Sequence, residues 1–158
     1  MKIAIFPGSF DPITVGHVEI AQRAANLFDK LVIAIGTNSK KKGMFSVEER
    51  LSMMKEIFRD QPNVEVSNYT GLTVNFAREN KAKFILRGIR NAEDLAYEET
   101  ISFLNQHMHP ELETVYLHSS PKTVHVSSSI IREIIRYKGK LEGLVPDEVI
   151  EVIKKNKY

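Results

Sequence analysis

The chain has 158 residues, with 22 lysines and arginines against 20 aspartates and glutamates and a formal net charge of +2. This near balance gives no global field that favours nucleic acid, so a basic site must come from local placement. The absence of cysteine excludes a disulfide framework, a thiol nucleophile and a zinc–thiolate cluster. No apolar run has transmembrane length, and no secretory signal begins the sequence. We therefore expect one cytoplasmic domain, residues 1–158, with no membrane or nucleic-acid partner.

Short apolar runs alternate with helical patterns, an arrangement that builds parallel sheets with right-handed crossovers. The predicted strands cover residues 2–6, 31–35, 63–67, 84–86 and 114–117. The predicted helices begin after Thr14 and Ser46 and then cover residues 73–80, 91–109, 129–137 and 146–155. The sequence thus predicts an α/β fold: a Rossmann-like, doubly wound, five-stranded parallel sheet in a single domain with C-terminal helices.

Local signals predict where several elements begin and end. The Pro7-Gly8-Ser9 turn is expected to end the first strand, because Pro has no N–H for a ladder and Gly permits a reversal. Gly36 is expected to end the second strand. Ser46 and Glu49 have the spacing of a capping box, and Thr73 is expected mainly to cap the short helix.

The predicted helix at 91–109 carries an apolar stripe of Ile101, Leu104 and Met108. Such a stripe packs either against the chain's own core or against a neighbouring chain. The core is the simpler expectation. These residues by themselves predict no oligomeric state.

Ligands of open parallel sheets bind beyond the carboxyl ends of the strands. The segments that follow the five predicted strands should therefore converge on one site. These segments are Ser9-Phe10, Lys40–Lys42, Tyr69–Thr73, Arg87–Arg90 and His118–Ser129.

The first strand, its glycine turn and a helix capped by Thr14 precede His17. Free amides and the helix dipole make such a helix start an anion-binding cradle. Many α/β proteins also begin this way for structural reasons alone. The pattern is neither G-x-G-x-x-G nor a Walker motif, which disfavours dinucleotide and P-loop sites.

Arg87 and Arg90 flank the end of the fourth strand. Guanidinium groups hold phosphate oxygens in pairs, so the two arginines are a plausible clamp for two phosphates. The alternative is a pair of surface arginines in a loop. Their position at the carboxyl edge favours the clamp.

Lys40, Lys41 and Lys42 follow the second strand. Three lysines beside a glycine usually form a solvated loop. A lysine on such a loop can also close over substrates and offset charge on phosphate oxygens. The residues alone leave both alternatives open.

Three consecutive serines, Ser127, Ser128 and Ser129, precede an apolar-periodic helix. Serine is a good helix cap, and a structural role is the default. The same hydroxyls and helix amides can hold the phosphate tail of a nucleotide. The two roles are compatible.

The segment Pro7–Pro12 followed by Thr14-Val15-Gly16-His17 resembles the signature of nucleotidyltransferases that carry a T/H-x-G-H motif. Within that superfamily, the whole chain resembles the bacterial phosphopantetheine adenylyltransferases. Further similarity lies in Arg87–Glu98, read as RGIRNAEDLAYE, and in Val126–Arg132. The resemblance implies transfer of the adenylyl group of ATP to 4′-phosphopantetheine, which gives dephospho-coenzyme A and pyrophosphate. It also implies Mg²⁺ with ATP and a homohexamer.

The resemblance assigns expected roles to residues. The catalytic residues would be His17, Lys41 and Arg90. The 4′-phosphopantetheine contacts would be Ser9, Lys41, Thr73 and Arg87. The ATP contacts would be Ser9, Phe10, His17, Gly88, Ile89, Arg90, Glu98, Thr123, Val124, His125, Val126, Ser127, Ser128 and Ser129.

A phosphate nucleophile is already anionic near neutral pH, so this reaction needs no general base. The expected task of the protein is to align in-line attack and to stabilise charge on the α-phosphate. His17 is expected to donate a hydrogen bond there as a neutral imidazole, with its pKa lowered by the helix dipole. No dense carboxylate cluster is evident, so ATP itself is expected to hold the Mg²⁺.

Two other functions remain open. The same chemistry could use another acceptor, such as nicotinamide mononucleotide or a sugar or glycerol phosphate, although the Arg87–Glu98 block and Lys41 favour pantetheine. A nucleotide-sensing module with a flavodoxin-like sheet would bind nucleotide without turnover. Fold alone does not separate these functions.

Overall fold

The computed structural model describes residues 1–37 and 42–158. Its strands are β1 (Ile3–Gly8), β2 (Lys30–Thr37), β3 (Val64–Thr70), β4 (Phe84–Ile89) and β5 (Glu113–His118). Its helices are α1 (Val15–Ala25), α2 (Val47–Ile57), α3 (Thr73–Glu79), α4 (Ala92–Met108), α5 (Ser128–Arg136) and α6 (Asp147–Asn156).

The five strands form one parallel sheet in the order β3-β2-β1-β4-β5. The chain first adds strands on one side of β1 and then, from β4, on the other side. The switch in strand order therefore lies between β1 and β4, where such folds bind ligands. The predicted Rossmann-like fold is confirmed.

The sheet is covered on both faces because its central strands are apolar on both sides. In β1, Ala4 and Phe6 belong to a cluster with Ile20 of α1 and Ile131 of α5. Ile5 points the opposite way and belongs to a second cluster that includes residues of α3. The continuous apolar run of the first strand is thus explained by burial on two faces.

The predicted caps are confirmed at two helices. The Thr14 hydroxyl accepts from the His17 backbone N–H at 3.5 Å. At α2, Ser46 Oγ accepts from the Glu49 N–H at 3.1 Å, and a Glu49 carboxylate oxygen accepts from the Ser46 N–H at 2.7 Å. The capping role predicted for Thr73 is wrong, because Leu72 is the residue before α3 and no side chain caps this helix.

All five predicted strand ends are too early, by one to three residues. β1 continues through Pro7 to Gly8, which pairs with Ile35 of β2, and β2 continues past Gly36 to Thr37. Pro7 is tolerated because β1 pairs with β4 only at Ala4 and Ile5, so its missing N–H lies where that side of the strand is unpaired. β4 likewise extends to Ile89, which places Arg87 inside the strand.

The apolar stripe of α4 does not pack as predicted. Leu104 is 58% exposed and Met108 is 42% exposed, and only Ile101 is partly buried. Tyr97 and Phe103 of the same helix are also exposed. The long helix therefore presents an apolar surface to solvent. None of the helices in the described part of the chain has the length and apolar character needed to cross a membrane.

Candidate active site

A cavity of about 340 Å³ lies at the carboxyl ends of β1 and β4, where the strand order switches. The turn after β1, the first turn of α1, the segment after β4 and the start of α5 form its walls. The lining residues that carry polar or charged side chains are Ser9, Thr14, His17, Arg87, Arg90, Asp94, Glu98, Ser119, Ser127, Ser128, Ser129 and Arg132.

The imidazole of His17 is held in one tautomer by the start of α1. Its Nδ1 accepts a hydrogen bond from the Thr14 backbone N–H at 3.1 Å and lies 2.9 Å from the Thr14 hydroxyl. A backbone N–H can only donate, so Nδ1 is the acceptor and the ring proton is on Nε2. The ring of Phe10 packs edge-on against the imidazole, with centroids 5.1 Å apart. His17 is thus oriented as an Nε2–H donor.

His17 is neutral in this environment. Burial, and then the positive charges of Arg87 and Arg90, lower the pKa of His17 to about 4. The sequence predicted this direction but attributed it to the helix dipole. The leading cause is instead loss of solvent around the ring.

Arg87 is fixed by two neighbours. Its Nε donates to Glu98 Oε2 at 2.8 Å and its Nη2 donates to Glu98 Oε1, while Nη1 donates to the Pro7 carbonyl. Glu98 is the buried residue of α4. These bonds leave one N–H on each terminal nitrogen of Arg87. These donors suit a phosphate or a carboxylate.

Arg90 lies just beyond β4 and is paired with Asp94 of α4. Its Nε and Nη2 donate to the Asp94 carboxylate at 2.9 and 3.2 Å, and its backbone N–H donates at 3.1 Å. Hydrogen bonds from Arg90, opposed by partial burial, hold the pKa of Asp94 below its ordinary value. The two arginines therefore reach the cavity as oriented cations.

A second cavity, of about 190 Å³, lies on the other side of the Arg87–Glu98 pair. Both cavities are lined by Pro7, Gly8, Arg87 and Glu98. The further lining residues of the second cavity are Gly36, Tyr69, Thr73, Ile85, Ile101, Ser102, Asn105 and Thr114. The Thr73 hydroxyl lies 2.8 Å from the Tyr69 hydroxyl. One ion pair thus separates two ligand-sized spaces.

Residues 5–134 match the model of the cytidylyltransferase-like family. The chain is 50% identical over 149 residues to a phosphopantetheine adenylyltransferase of Flavobacterium johnsoniae, covering 94% of this chain and 97% of that protein. It is 44% identical to the one of Caldanaerobacter subterraneus, covering 96% and 94%. The chain belongs to the phosphopantetheine adenylyltransferase family. The resemblance noted in the sequence is confirmed.

A solved structure supports the fold of this family member. A putative nicotinate-nucleotide adenylyltransferase from Vibrio parahaemolyticus superposes with a TM-score of 0.76, covering 98% of this chain and 93% of that chain. The sequence identity is 17%, so this likeness concerns the fold. The acceptor specificity must come from the site.

The structure brings many of the residues expected from the phosphopantetheine adenylyltransferase family together. The expected residues that line the first cavity are Ser9, Phe10, His17, Arg87, Gly88, Arg90, Glu98, Val126, Ser127, Ser128 and Ser129. Thr73 lines the second cavity. Ile89, Thr123, Val124 and His125 are outside both linings, and Lys41 lies outside the described residues.

The serine segment combines capping with access to the cavity. Ser127 Oγ accepts from the Ile130 N–H at 3.3 Å and caps α5, and Ser128 Oγ donates to the Pro12 carbonyl at 2.8 Å. The start of α5, whose first backbone N–H groups have no helical acceptor, therefore borders the cavity.

Sequence reasoning missed two charged residues of the first cavity. Arg132 donates to the Asp11 carbonyl at 2.8 Å and to Ser129 Oγ at 3.3 Å. Its signal was the spacing of three from Ser129, which places both on one helix face. Asp94 was the other, four residues after Arg90. Within residues 1–37 and 42–158, no group of three histidines, aspartates or glutamates could hold a metal ion.

Proposed function

We propose that this protein transfers the adenylyl group of ATP to 4′-phosphopantetheine, giving dephospho-coenzyme A and pyrophosphate. The observation that carries the proposal is the junction of two cavities at the Arg87–Glu98 pair, with the Nε2–H of His17 on one side. A two-substrate transfer needs two adjoining spaces with cationic groups where the reacting phosphates meet. Full-length similarity to phosphopantetheine adenylyltransferases supports this assignment.

The first cavity is proposed to bind ATP. The amides at the start of α5 and the serine hydroxyls suit its phosphates, and Arg90 adds a positive charge at the opposite wall. The residues proposed to contact ATP remain those of the family pattern, Ser9, Phe10, His17, Gly88, Ile89, Arg90, Glu98 and the segment 123–129.

The second cavity is proposed to bind the pantetheine arm, with the acceptor phosphate on Arg87. The two remaining N–H groups of Arg87 supply donors for that phosphate. Thr73 lies on the wall of this cavity and Ser9 on the wall of the first. We propose that both contact 4′-phosphopantetheine.

The reaction is proposed as a direct in-line displacement without a covalent enzyme intermediate. An oxygen of the acceptor phosphate forms a bond to the α-phosphorus of ATP. The bond from this phosphorus to the bridging oxygen breaks, and pyrophosphate leaves with the electron pair. No proton has to move, so the absence of a general base from the proposed machinery fits the chemistry.

Catalysis is proposed to come from charge stabilisation on the α-phosphate. A neutral His17 donates from Nε2 to an α-phosphate oxygen, and Arg90 and Lys41 share the remaining negative charge. Lys41 enters on the family resemblance. We expect Lys41→Ala to lower kcat about 100-fold, and Lys40→Ala and Lys42→Ala to have much smaller effects.

Mg²⁺ is proposed to enter with ATP. The carboxylates that line the first cavity, Asp94 and Glu98, are each paired with an arginine, so they suit positioning of cations more than ligation of a metal. The phosphates of ATP would supply most of the oxygen ligands. The ion would neutralise charge on the polyphosphate.

The exposed apolar surface of α4 supports the proposed homohexamer. Tyr97, Phe103, Leu104 and Met108 are each more than two-fifths exposed on this helix, which is unusual for a chain that stays monomeric. A sedimentation mass six times that of the chain tests this proposal. The single domain and the cytoplasmic location also remain our proposals.

A magnesium-dependent assay tests the proposed function. Purified protein, ATP and 4′-phosphopantetheine should yield dephospho-coenzyme A and an equal amount of pyrophosphate. Nicotinamide mononucleotide and glycerol phosphate serve as competing acceptors, and nucleotide binding without turnover would indicate a sensing module. We expect His17→Ala to lower kcat about 100- to 1,000-fold with little change in ATP affinity. A small loss of kcat while ATP still binds would disprove the role of His17.

A further inference from the structure

The carboxylate of Glu19 ties the loop between β5 and α5 to helix α1. We define the β5–α5 loop as residues 119–127. Glu19 Oε2 accepts hydrogen bonds from the Thr123 hydroxyl at 2.6 Å and from the Ser120 hydroxyl at 2.8 Å, and Oε1 accepts from the Ser120 backbone N–H at 3.3 Å. Three donors from two loop residues therefore converge on one side chain, which is itself about a quarter exposed.

Glu19 stays ionised in this position. Partial burial opposes ionisation, but the hydrogen bonds from Thr123, Ser120 and Arg23 together lower the pKa of Glu19. Arg23, one turn further along α1, also donates to the His118 carbonyl at 2.6 Å, at the end of β5. Two charged residues of α1 thus hold both ends of the turn that leaves β5.

The contacts continue from Thr123 into the first cavity. The Thr123 carbonyl accepts from the Val126 N–H at 2.9 Å, and Val126 lines the cavity directly before Ser127, which caps α5. A side chain at Gly16 would lie 3.7 Å from the same carbonyl. The loop therefore packs closely on the turn of α1 that carries His17.

We propose that Glu19 is a positioning residue for nucleotide binding, which sets the placement of the serine segment 127–129 relative to His17. This inference rests on the proposed function, because it takes the first cavity to be the ATP site. It also gives the Thr123 hydroxyl an indirect role beside the ATP contact proposed above for this residue, because the hydroxyl is directed at Glu19 and Thr123 lies outside the cavity lining. Glu19 itself does not line the cavity.

The hydrogen bond between Glu19 and Thr123 can be removed by a substitution at either residue. Glu19→Gln keeps the shape of the side chain but replaces one acceptor oxygen with an N–H₂ group that faces the loop donors. Thr123→Val keeps the branched shape and removes the hydroxyl, whereas Thr123→Ser retains it. We expect KM for ATP to rise about tenfold in Glu19→Gln and in Thr123→Val, with kcat and KM for the acceptor within about twofold. Thr123→Ser should have the same KM for ATP as the original protein.

A double-mutant cycle tests whether the two residues act together. If Thr123 acts through Glu19, the combined variant should be no worse than Glu19→Gln alone. Glu151→Gln, an exposed carboxylate on α6, is the matched charge control and should leave KM for ATP unchanged.

Several results would overturn the inference. If KM for ATP is unchanged in Glu19→Gln, or if only the thermal midpoint changes, Glu19 has a structural role and does not position the nucleotide site. Fully additive effects would mean that Thr123 contacts the nucleotide independently. ATP affinity measured by calorimetry gives the same comparison without turnover, so it decides this inference even if the transfer assay fails. Thr123→Val provides the test if Glu19→Gln does not fold.

Discussion

Glu98 of α4 and Arg87 of β4 form a two-point ion pair on the boundary between the two cavities. The side chain of Glu98 is 10% exposed and that of Arg87 is 29% exposed. Because so little of the Arg87 side chain is exposed to solvent, its orientation depends on its ion-pair partner. Glu98 therefore determines which N–H groups Arg87 can offer to a phosphate.

Removal of the Glu98 carboxylate should weaken binding of the acceptor more than binding of ATP. We expect Glu98→Ala to raise KM for 4′-phosphopantetheine about tenfold and to lower the free energy of unfolding by about 2 kcal/mol, because a half-buried cation loses its partner. Steady-state kinetics and urea denaturation measure the two effects. The control is Glu99→Gln, at the next, exposed position of the same helix. An increase in KM for ATP alone would contradict the orienting role.

The neutral state of His17 predicts an unusual pH dependence. With its pKa at about 4, His17 should remain unprotonated in the folded protein from pH 8 down to about pH 5. In the unfolded chain the same ring titrates near 6.5, so the unfolded state binds the proton first. The contribution of His17 to stability is therefore present above about pH 6.5 and is lost as the pH falls towards 4. The ring resonances of His17, assigned by comparison with His17→Gln, report the titration in solution. A midpoint near 6.5 would contradict the burial of the ring.

The hydroxyl pair of Tyr69 and Thr73 predicts a selective effect on the second cavity. Tyr69→Phe removes one hydroxyl and preserves the ring, which stacks on Phe76 with centroids 4.6 Å apart. We expect a two- to fivefold change in KM for 4′-phosphopantetheine and none in KM for ATP, because one neutral hydrogen bond contributes about 1 kcal/mol or less. Tyr97→Phe, at an exposed tyrosine of α4, is the matched control. Equal effects of the two substitutions would contradict a specific role for Tyr69.

Asp11 anchors the segment that leads into α2. Its two carboxylate oxygens accept from the Met44 and Phe45 backbone N–H groups, both at 2.9 Å, and the residue is buried. We expect Asp11→Asn to lower the free energy of unfolding by about 2 kcal/mol, because the amide nitrogen faces one of the two donors. Asp60→Asn, at a side chain that is 89% exposed, should change it by less than about 0.5 kcal/mol. Equal losses in the two variants would show that the Asp11 contacts contribute little.

The sequence predicted the features that depend on neighbouring residues. The apolar run of β1 indicates burial on two faces, and this signal depends only on the residues of the strand itself. The cap at Thr14 and the box at Ser46 and Glu49 depend on residues three apart, and the structure confirms both.

The remaining features depend on contacts between distant parts of the chain. The partner of Arg87 is 11 residues away and that of Thr123 is 104 residues away, and both depend on how a helix packs on the sheet. An apolar stripe looks the same whether it faces its own core or solvent, so the exposure of Leu104 and Met108 had no local signal. The passage of β1 through Pro7 likewise depends on which side of the strand is paired.

Gly8 lines both cavities and has no side chain of its own. A Cβ atom there would lie 3.0 Å from Cε2 and Cζ of Phe10, whose backbone already has a φ of 44° and whose ring rests on the imidazole of His17. A single added methyl group would therefore force a shift of this ring, which packs on the proposed phosphate donor. The placement of the His17 ring thus depends on the missing side chain of a residue that does not touch it.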